Sequence, residues 1–163
     1  MNKTVVVFIS SKNYRSSMRR ILFLIFLCLA PALFAADEGR IIKVLPFLMD
    51  TNGSIAKSPS LFDRDAYQAY LHIHTNGIGG LRYDVQCSAT EPLKLRLELR
   101  GTGTNSTLQT FTLETNVPAG RFENWTQIKV TGDDYKNAGS VVAWHATLWK
   151  DSTQLSEQKS FLW

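Results

Sequence analysis

The run LKLRLELR, residues 93–100, sets leucine at every second position: Leu93, Leu95, Leu97 and Leu99, with Lys94, Arg96, Glu98 and Arg100 between them. Successive side chains of a strand point to opposite faces, so strict alternation of this kind marks a β-strand with one buried and one wet face. A helix would spread the same leucines around its circumference. Just upstream, Leu81, Tyr83, Val85 and Cys87 alternate with Arg82, Asp84 and Gln86. The connection Ser88 to Pro92 has the length of a hairpin loop, so these two runs read as neighbouring antiparallel strands.

The same reading extends outward. Leu108 to Glu114 follows the loop GTGTNST as a strand, and Trp125 to Thr131 follows with Thr126, Ile128 and Val130 on one side. Gly132 to Gly139 reads as a polar connection. Val141 to Trp149 places Val142, Trp144, Ala146 and Leu148 on one face, and Leu155 to Trp163 returns as the last strand. Near the other end, Ile41 to Met49 is a strand carrying Pro46. Proline has no N–H for a ladder, which puts that strand at an edge or bulges it there.

One segment has a different period. In Ser58 to His74, Phe62, Ala66, Ala69, Tyr70 and Ile73 fall on one side of a helix, and Asp65, Gln68 and His72 point away. Ser58 or Ser60 suits the N-cap, Pro59 the first turn, and Asn76-Gly77 the end. The expectation is a mostly β fold: an antiparallel β-sandwich of about seven strands with one inserted helix at about residues 60–74.

In strand number and closing hairpin, Val141 to Trp163, this arrangement resembles the immunoglobulin and fibronectin type III sandwiches. The paired cysteines of the former are absent, and Tyr135 does not stand in the tyrosine-corner position. The segments SPSLFDRDAYQAYL and SEQKSFLW also resemble those of a family of small exported bacterial proteins of unknown function. That second resemblance implies export and a shared fold, and no activity.

Ahead of the domain, Arg19-Arg20 lead into an unbroken apolar run from Ile21 to Leu29, extended by Ala30 to Phe34 and closed by Ala35-Ala36 before Asp37-Glu38. That order is the order of a secretory signal peptide. The expectation is a signal at residues 1–36, cleaved after Ala35 or Ala36, with Met18 as an alternative start. The apolar stretch, about 14–16 residues, is short of the roughly 20 that span a bilayer. A twin-arginine route fits poorly, because the run is too apolar. Lipid attachment at Cys28 also fits poorly, because Ile25-Phe26-Leu27 precedes it. The domain at 37–163 is thus expected in the periplasm or outside the cell, and not to span a membrane.

Charge supports that division. Five of the 18 basic residues (Lys3, Lys12, Arg15, Arg19 and Arg20) precede residue 37 and no acid does, leaving 13 against all 14 acids. The formal +4 of the whole chain belongs to the targeting segment. No Lys/Arg run follows Arg20, so nothing points to the phosphate-driven binding of nucleic acid. Cys87 is the single cysteine after residue 36, which excludes an internal disulfide there.

Catalytic patterns are sparse. His72 and His74 stand 200° apart on a helix and cannot share a ligand there, although on a strand they would share a face. His145 lies opposite the Trp144 face and has no third ligand at sequence spacing. Asp63/Asp65 suit a helix start, and Asp133/Asp134 suit a turn. No glycines flank a serine as in a nucleophile elbow. The GTGTNS run at 101–106 lacks the Lys-Ser/Thr of a phosphate loop. Cys87 shares the apolar face of Val85 and Tyr83, where a thiol is inert.

The tryptophans Trp125, Trp144, Trp149 and Trp163 all fall late in the chain. Trp144 reads as core, whereas Trp149 lies on the other face and Trp163 ends the chain beside Phe161. Outward aromatics on a sandwich stack on sugars or fill a partner's pocket. Asn52-Gly-Ser54, Asn105-Ser-Thr107 and Asn124-Trp-Thr126 match the glycosylation pattern, which matters only in a eukaryotic secretory pathway.

The resulting expectation is an exported, non-enzymatic domain, either protein-binding or a structural subunit of the cell envelope or its exterior, with no cofactor, metal or catalytic group. Its partner is another envelope or extracellular protein, or a second copy, and its candidate binding residues are Trp149, Trp163, Phe161 and His145. The alternatives are a carbohydrate-binding module using exposed tryptophans, and a small metal-dependent or acid/base hydrolase built on His72, His74 or His145.

Overall fold

The computed structural model describes residues 38–103 and 107–163. The signal peptide, its cleavage point, the Met18 start and Asn105 lie outside the described residues. Among those residues the chain runs β1 (Gly39–Asp50), α1 (Leu61–Ile73), a short 3-10 turn (Thr75–Gly77), β2 (Ile78–Ala89), β3 (Leu93–Gly101), β4 (Gln109–Val117), β5 (Asn124–Thr131), α2 (Gly132–Ala138), β6 (Val141–Lys150) and β7 (Thr153–Lys159). The strands form a three-stranded sheet, β1-β2-β5, and a four-stranded sheet, β4-β3-β6-β7. Every pairing is antiparallel. Relative to the constant-type immunoglobulin sandwich, the fourth strand pairs with the third rather than joining the other sheet.

The leucine alternation is borne out. Leu93, Leu95, Leu97 and Leu99 are buried, and Lys94, Arg96, Glu98 and Arg100 are not. Their inward row meets Leu148 and Ala146 of β6 in register, and it packs in one core with Val85, Cys87, Ile128 and Val130 of the other sheet. Burial pushes the Cys87 thiol up to about 11, so it stays protonated and inert.

Four sequence-based expectations need correction. Gly132 to Ala138 is a helix, not a polar connection, with Asp133 and Asp134 in its first turn and Ala138 buried. Gly139 ends it at φ 63°, and a Cβ on Gly101 would overlap the Ala138 carbonyl oxygen, so β3 closes against α2 on glycine. The last strand stops at Lys159. There Ser160 turns the chain, its N–H donating to the Trp144 carbonyl and its hydroxyl accepting from the Trp144 N–H. Val142, expected beside Trp144 in the core, is exposed, because the β3–β6 register shifts at Arg100/Gly101. Trp144 itself is partly buried, edge-on to Tyr83 at 6.5 Å.

The fourth correction concerns α1. Ser60 caps it as expected, accepting from the Asp63 N–H. The apolar stripe does not face the protein. Phe62 is 81% exposed and Ile73 77%, and Tyr70, Ala66 and Ala69 are also exposed. Leu71 is the helix's one buried residue, flanked by the half-buried Arg64, Tyr67 and Gln68. The Gln68 carboxamide pairs with backbone: its Oε1 accepts from the Leu48 N–H at 2.8 Å, and its Nε2 donates to the carbonyls of Leu48 and Ile55 at 2.9 Å. The Tyr67 hydroxyl donates to Asp50 at 2.8 Å, and the Arg64 guanidinium lies over the Phe47 ring. Polar bonds to β1, not apolar burial, orient this helix.

Strand β1 is an edge, as Pro46 implies, and its outer side is covered in pieces. Gln68 covers Leu48, while at the other end Ser156 accepts from the Ile41 N–H and Gln158 donates to the carbonyls of Ile41 and Ile42. Pro46 stands between them with no donor to offer. This is how an edge avoids pairing with a foreign strand.

Asp50, 6% exposed, ends β1 and organises the loop that follows. It accepts from the N–H groups of Asn52 and Ser54, from Tyr67 and from Lys57. The Ser54 N–H does most to hold its carboxyl at about 2, below the ordinary 3.8. That stabilisation is fully present above the unfolded pKa and fades as pH falls through about 4 toward 2. Asp50→Asn is expected to be less stable than wild type at pH 6, with the difference vanishing near pH 2, as read by urea denaturation across that range. Leu97→Asp would bury an unpaired charge among the leucines and cost several kcal/mol, enough to unfold the domain. A wild-type melting curve by circular dichroism for that variant would contradict the inward facing of β3.

Candidate functional site

Two surfaces stand out, on different elements. The first is the outward face of the four-stranded sheet. The register sets Lys94 beside Trp149, Arg96 beside Thr147, Glu98 beside His145 and Arg100 beside Ala143. Trp149, Trp163 and His145, all proposed from sequence as binding residues, share this face. They are partly buried. The Trp163 ring lies 5.0 Å from the His145 ring, and the Arg100 guanidinium stands 4.1 Å from the Trp163 ring centre. Arg96 stands 5.0 Å from the centre of Trp149, whose Nε1 donates to the Thr147 hydroxyl at 2.8 Å. Phe161 joins none of them and is fully exposed.

Charge on this face is largely matched internally. Arg96 and Lys94 both pair with Glu114, Arg96 the closer at 2.8 Å, and this holds the Glu114 carboxyl below its ordinary range. His145 is bracketed, with Nδ1 3.1 Å from Glu98 and Nε2 2.8 Å from Glu157. The contact with His145 is the main cause of the lowered Glu157 pKa. Both imidazole nitrogens are therefore engaged, which ties the ring to its sheet. At one end of the face a cleft of about 570 Å³ opens beside Trp149, with Lys94, Asn116 and Asp151 among its polar lining and Pro92 and Pro118 among its apolar lining.

The other histidines do not join this set. His72 is exposed on α1. His74 caps the helix end, its ring stacked 4.0 Å from Tyr70 and its Nδ1 3.0 Å from the Tyr70 carbonyl. Among the described residues no group of three or more His, Cys, Asp or Glu is placed to hold a metal. Among them, too, no helix is long and apolar enough to cross a membrane.

The second surface is the outer side of α1. Phe62, Ala66, Ala69 and Ile73 follow one another at steps of four, three and four residues, an unbroken stripe along the helix. Tyr70, 50% exposed, borders it. Two pairs of polar residues flank the stripe. At about 100° per residue, Asp65 and His72 lie on one side, and Asp63 and Tyr70 on the other. Sequence reading found these apolar residues and turned them inward. The signal for the true orientation was the opposite row, Arg64, Tyr67, Gln68 and Leu71, which carries one aliphatic residue and three groups able to bond the neighbouring strand.

Comparison with known proteins adds little. No family model matches the chain, and no curated protein does. A solved protein from Akkermansia muciniphila is similar in structure at a TM-score of 0.46 and 7% identity, covering 76% of this chain and 69% of its own. That is too distant a likeness to assign a family.

Proposed function

We propose that the chain is an exported, non-enzymatic domain that binds protein, and that its contact surface is the outer side of α1. One observation carries this reading. A helix held to its domain by polar bonds turns its whole apolar stripe to solvent, with Phe62 at 81% and Ile73 at 77% exposure. Burying such a stripe against a partner gains about 25 cal/mol per Å², and little polar desolvation opposes it. The sequence of residues 1–36 supports export, and the near-neutral charge of the remainder fits a protein partner better than a polyanion.

Ala69→Glu tests the reading, since it places a charge in the middle of an exposed stripe and removes no internal contact. In the producing cell this variant is expected to accumulate at wild-type level with a processed N-terminus at Ala36 or Asp37. It should lose the higher-mass species that chemical cross-linking captures with the wild type. Unchanged cross-linking in a folded, exported variant would refute the reading.

A second reading, carbohydrate binding, is favoured by the cleft beside Trp149, where an aromatic ring meets the hydrogen-bonding side chains Lys94, Asn116 and Asp151. The cost to it is that Trp149 is already engaged by Arg96 and Thr147. If it holds, soluble oligosaccharides shift the tryptophan fluorescence of wild type and not of Trp149→Ala. A glycan panel that leaves the wild-type spectrum unmoved would dismiss it.

A further inference from the structure

The stripe on α1 is complementary to itself. We infer that its occupant is α1 of a second copy of this chain, packed antiparallel across a two-fold axis. This inference rests on the reading of that surface as a protein-binding one and names the partner.

Three features carry it. The first is spacing. Phe62, Ala66, Ala69 and Ile73 have the alternating four-and-three step of a two-helix seam, large at the ends and small in the middle. Antiparallel packing sets each Phe62 against the other copy's Ile73 and each Ala66 against the other's Ala69. The alanines lie at the crossing, where small side chains let helix axes approach to about 8 Å.

The second feature is charge. Asp65, one of whose oxygens accepts from the Arg64 guanidinium of its own helix at 3.0 Å, and His72 share one flank, seven residues apart. A two-fold axis perpendicular to both helices brings like flanks together and reverses their direction, so each Asp65 meets the other copy's His72. The opposite flank then sets each Asp63 beside the other copy's Tyr70, a carboxylate facing a phenolic donor. Parallel packing would bring unlike flanks together and place Asp65 near Asp63, like charges in contact. The third feature is the helix dipoles, which attract in the antiparallel arrangement and repel in the parallel one.

The contact is small. α1 has 13 residues, about 20 Å of helix. A pair of such helices covers less than the roughly 1,600 Å² of a standard interface. The dimer is therefore expected to dissociate on dilution.

Sedimentation velocity of the purified protein across a hundredfold concentration range tests this. The expected result is a monomer that becomes a dimer as concentration rises. Ala66→Glu and Ala69→Glu should remain monomeric throughout while keeping the wild-type circular dichroism spectrum and melting curve. Asp65→Lys alone and His72→Glu alone should each weaken association at least fivefold, and the double variant should restore it to within about twofold. That rescue distinguishes antiparallel from parallel packing. A wild type that stays monomeric at every concentration overturns the inference, as does a dimer that survives Ala69→Glu or a charge swap that fails to rescue. A monomeric wild type whose cross-linked cellular complex is still lost in Ala69→Glu overturns the second copy alone and leaves the interaction surface standing. A monomer that co-floats with lipid vesicles overturns both.

Discussion

The carboxamide of Gln68 decides which way α1 faces. An amide side chain offers one acceptor and one donor side by side, the same pair a neighbouring strand presents to an edge. Gln68 uses both on Leu48, and its second N–H reaches Ile55. With Gln68 fixed to β1, a helical repeat of about 3.6 residues per turn leaves no freedom for the rest. Leu71 must point inward and Tyr67 must reach Asp50, so Phe62, Ala66, Ala69 and Ile73 must point out. Backbone groups left bare at a half-buried edge are costly, about 1–3 kcal/mol each when unsatisfied. Gln68 satisfies both such groups at Leu48.

The same logic runs along the whole of β1. Among the described residues, seven strands in sheets of three and four leave four edges, each a template for foreign pairing. β1 is covered by glutamines at both ends, from α1 and from β7, with Pro46 between them. The covering groups come from sequence-distant elements, Gln158 lying more than a hundred residues from Ile41. This also stitches the sandwich shut along its β1/β7 side, in addition to the leucine core. Among the described residues no buried side-chain nitrogen or oxygen is left without a partner.

These facts explain what could be read from sequence and what could not. The strands were legible because period-two alternation is a local property, and the burial of Leu93 to Leu99 in an antiparallel sheet follows from it directly. The α1 segment was legible as a helix from its cap and its period. Its facing was not, because that depends on what Gln68 and Tyr67 meet on a strand some twenty residues away. Hydrophobic periodicity assumes that the apolar side is the inner side. α2 escaped because Gly132–Ala138 is short, polar in its first turn and buried only at Ala138. Strand parity sets Trp149 and His145 opposite Trp144, but it assigns no face to Trp163, which the turn at Ser160 brings against His145. The arginines lying against the Trp149 and Trp163 rings could not be foreseen, since Arg96 and Arg100 read from sequence simply as the wet side of β3.

The two surfaces differ in what binding would cost. On the four-stranded sheet, Arg96, Lys94 and Glu114 form one network, and Glu98, His145, Glu157, Trp163 and Arg100 form another. A ligand docking there must replace contacts already made and desolvate charges already matched, which returns little net free energy. On α1 the stripe is phenyl, methyl and sec-butyl, exposed to solvent, and its burial breaks no ion pair or hydrogen bond of those side chains. Polar networks on the sheet thus serve stability and the hold on the C-terminal turn. The free energy still available for association lies on the helix, on the side that Gln68 turns outward.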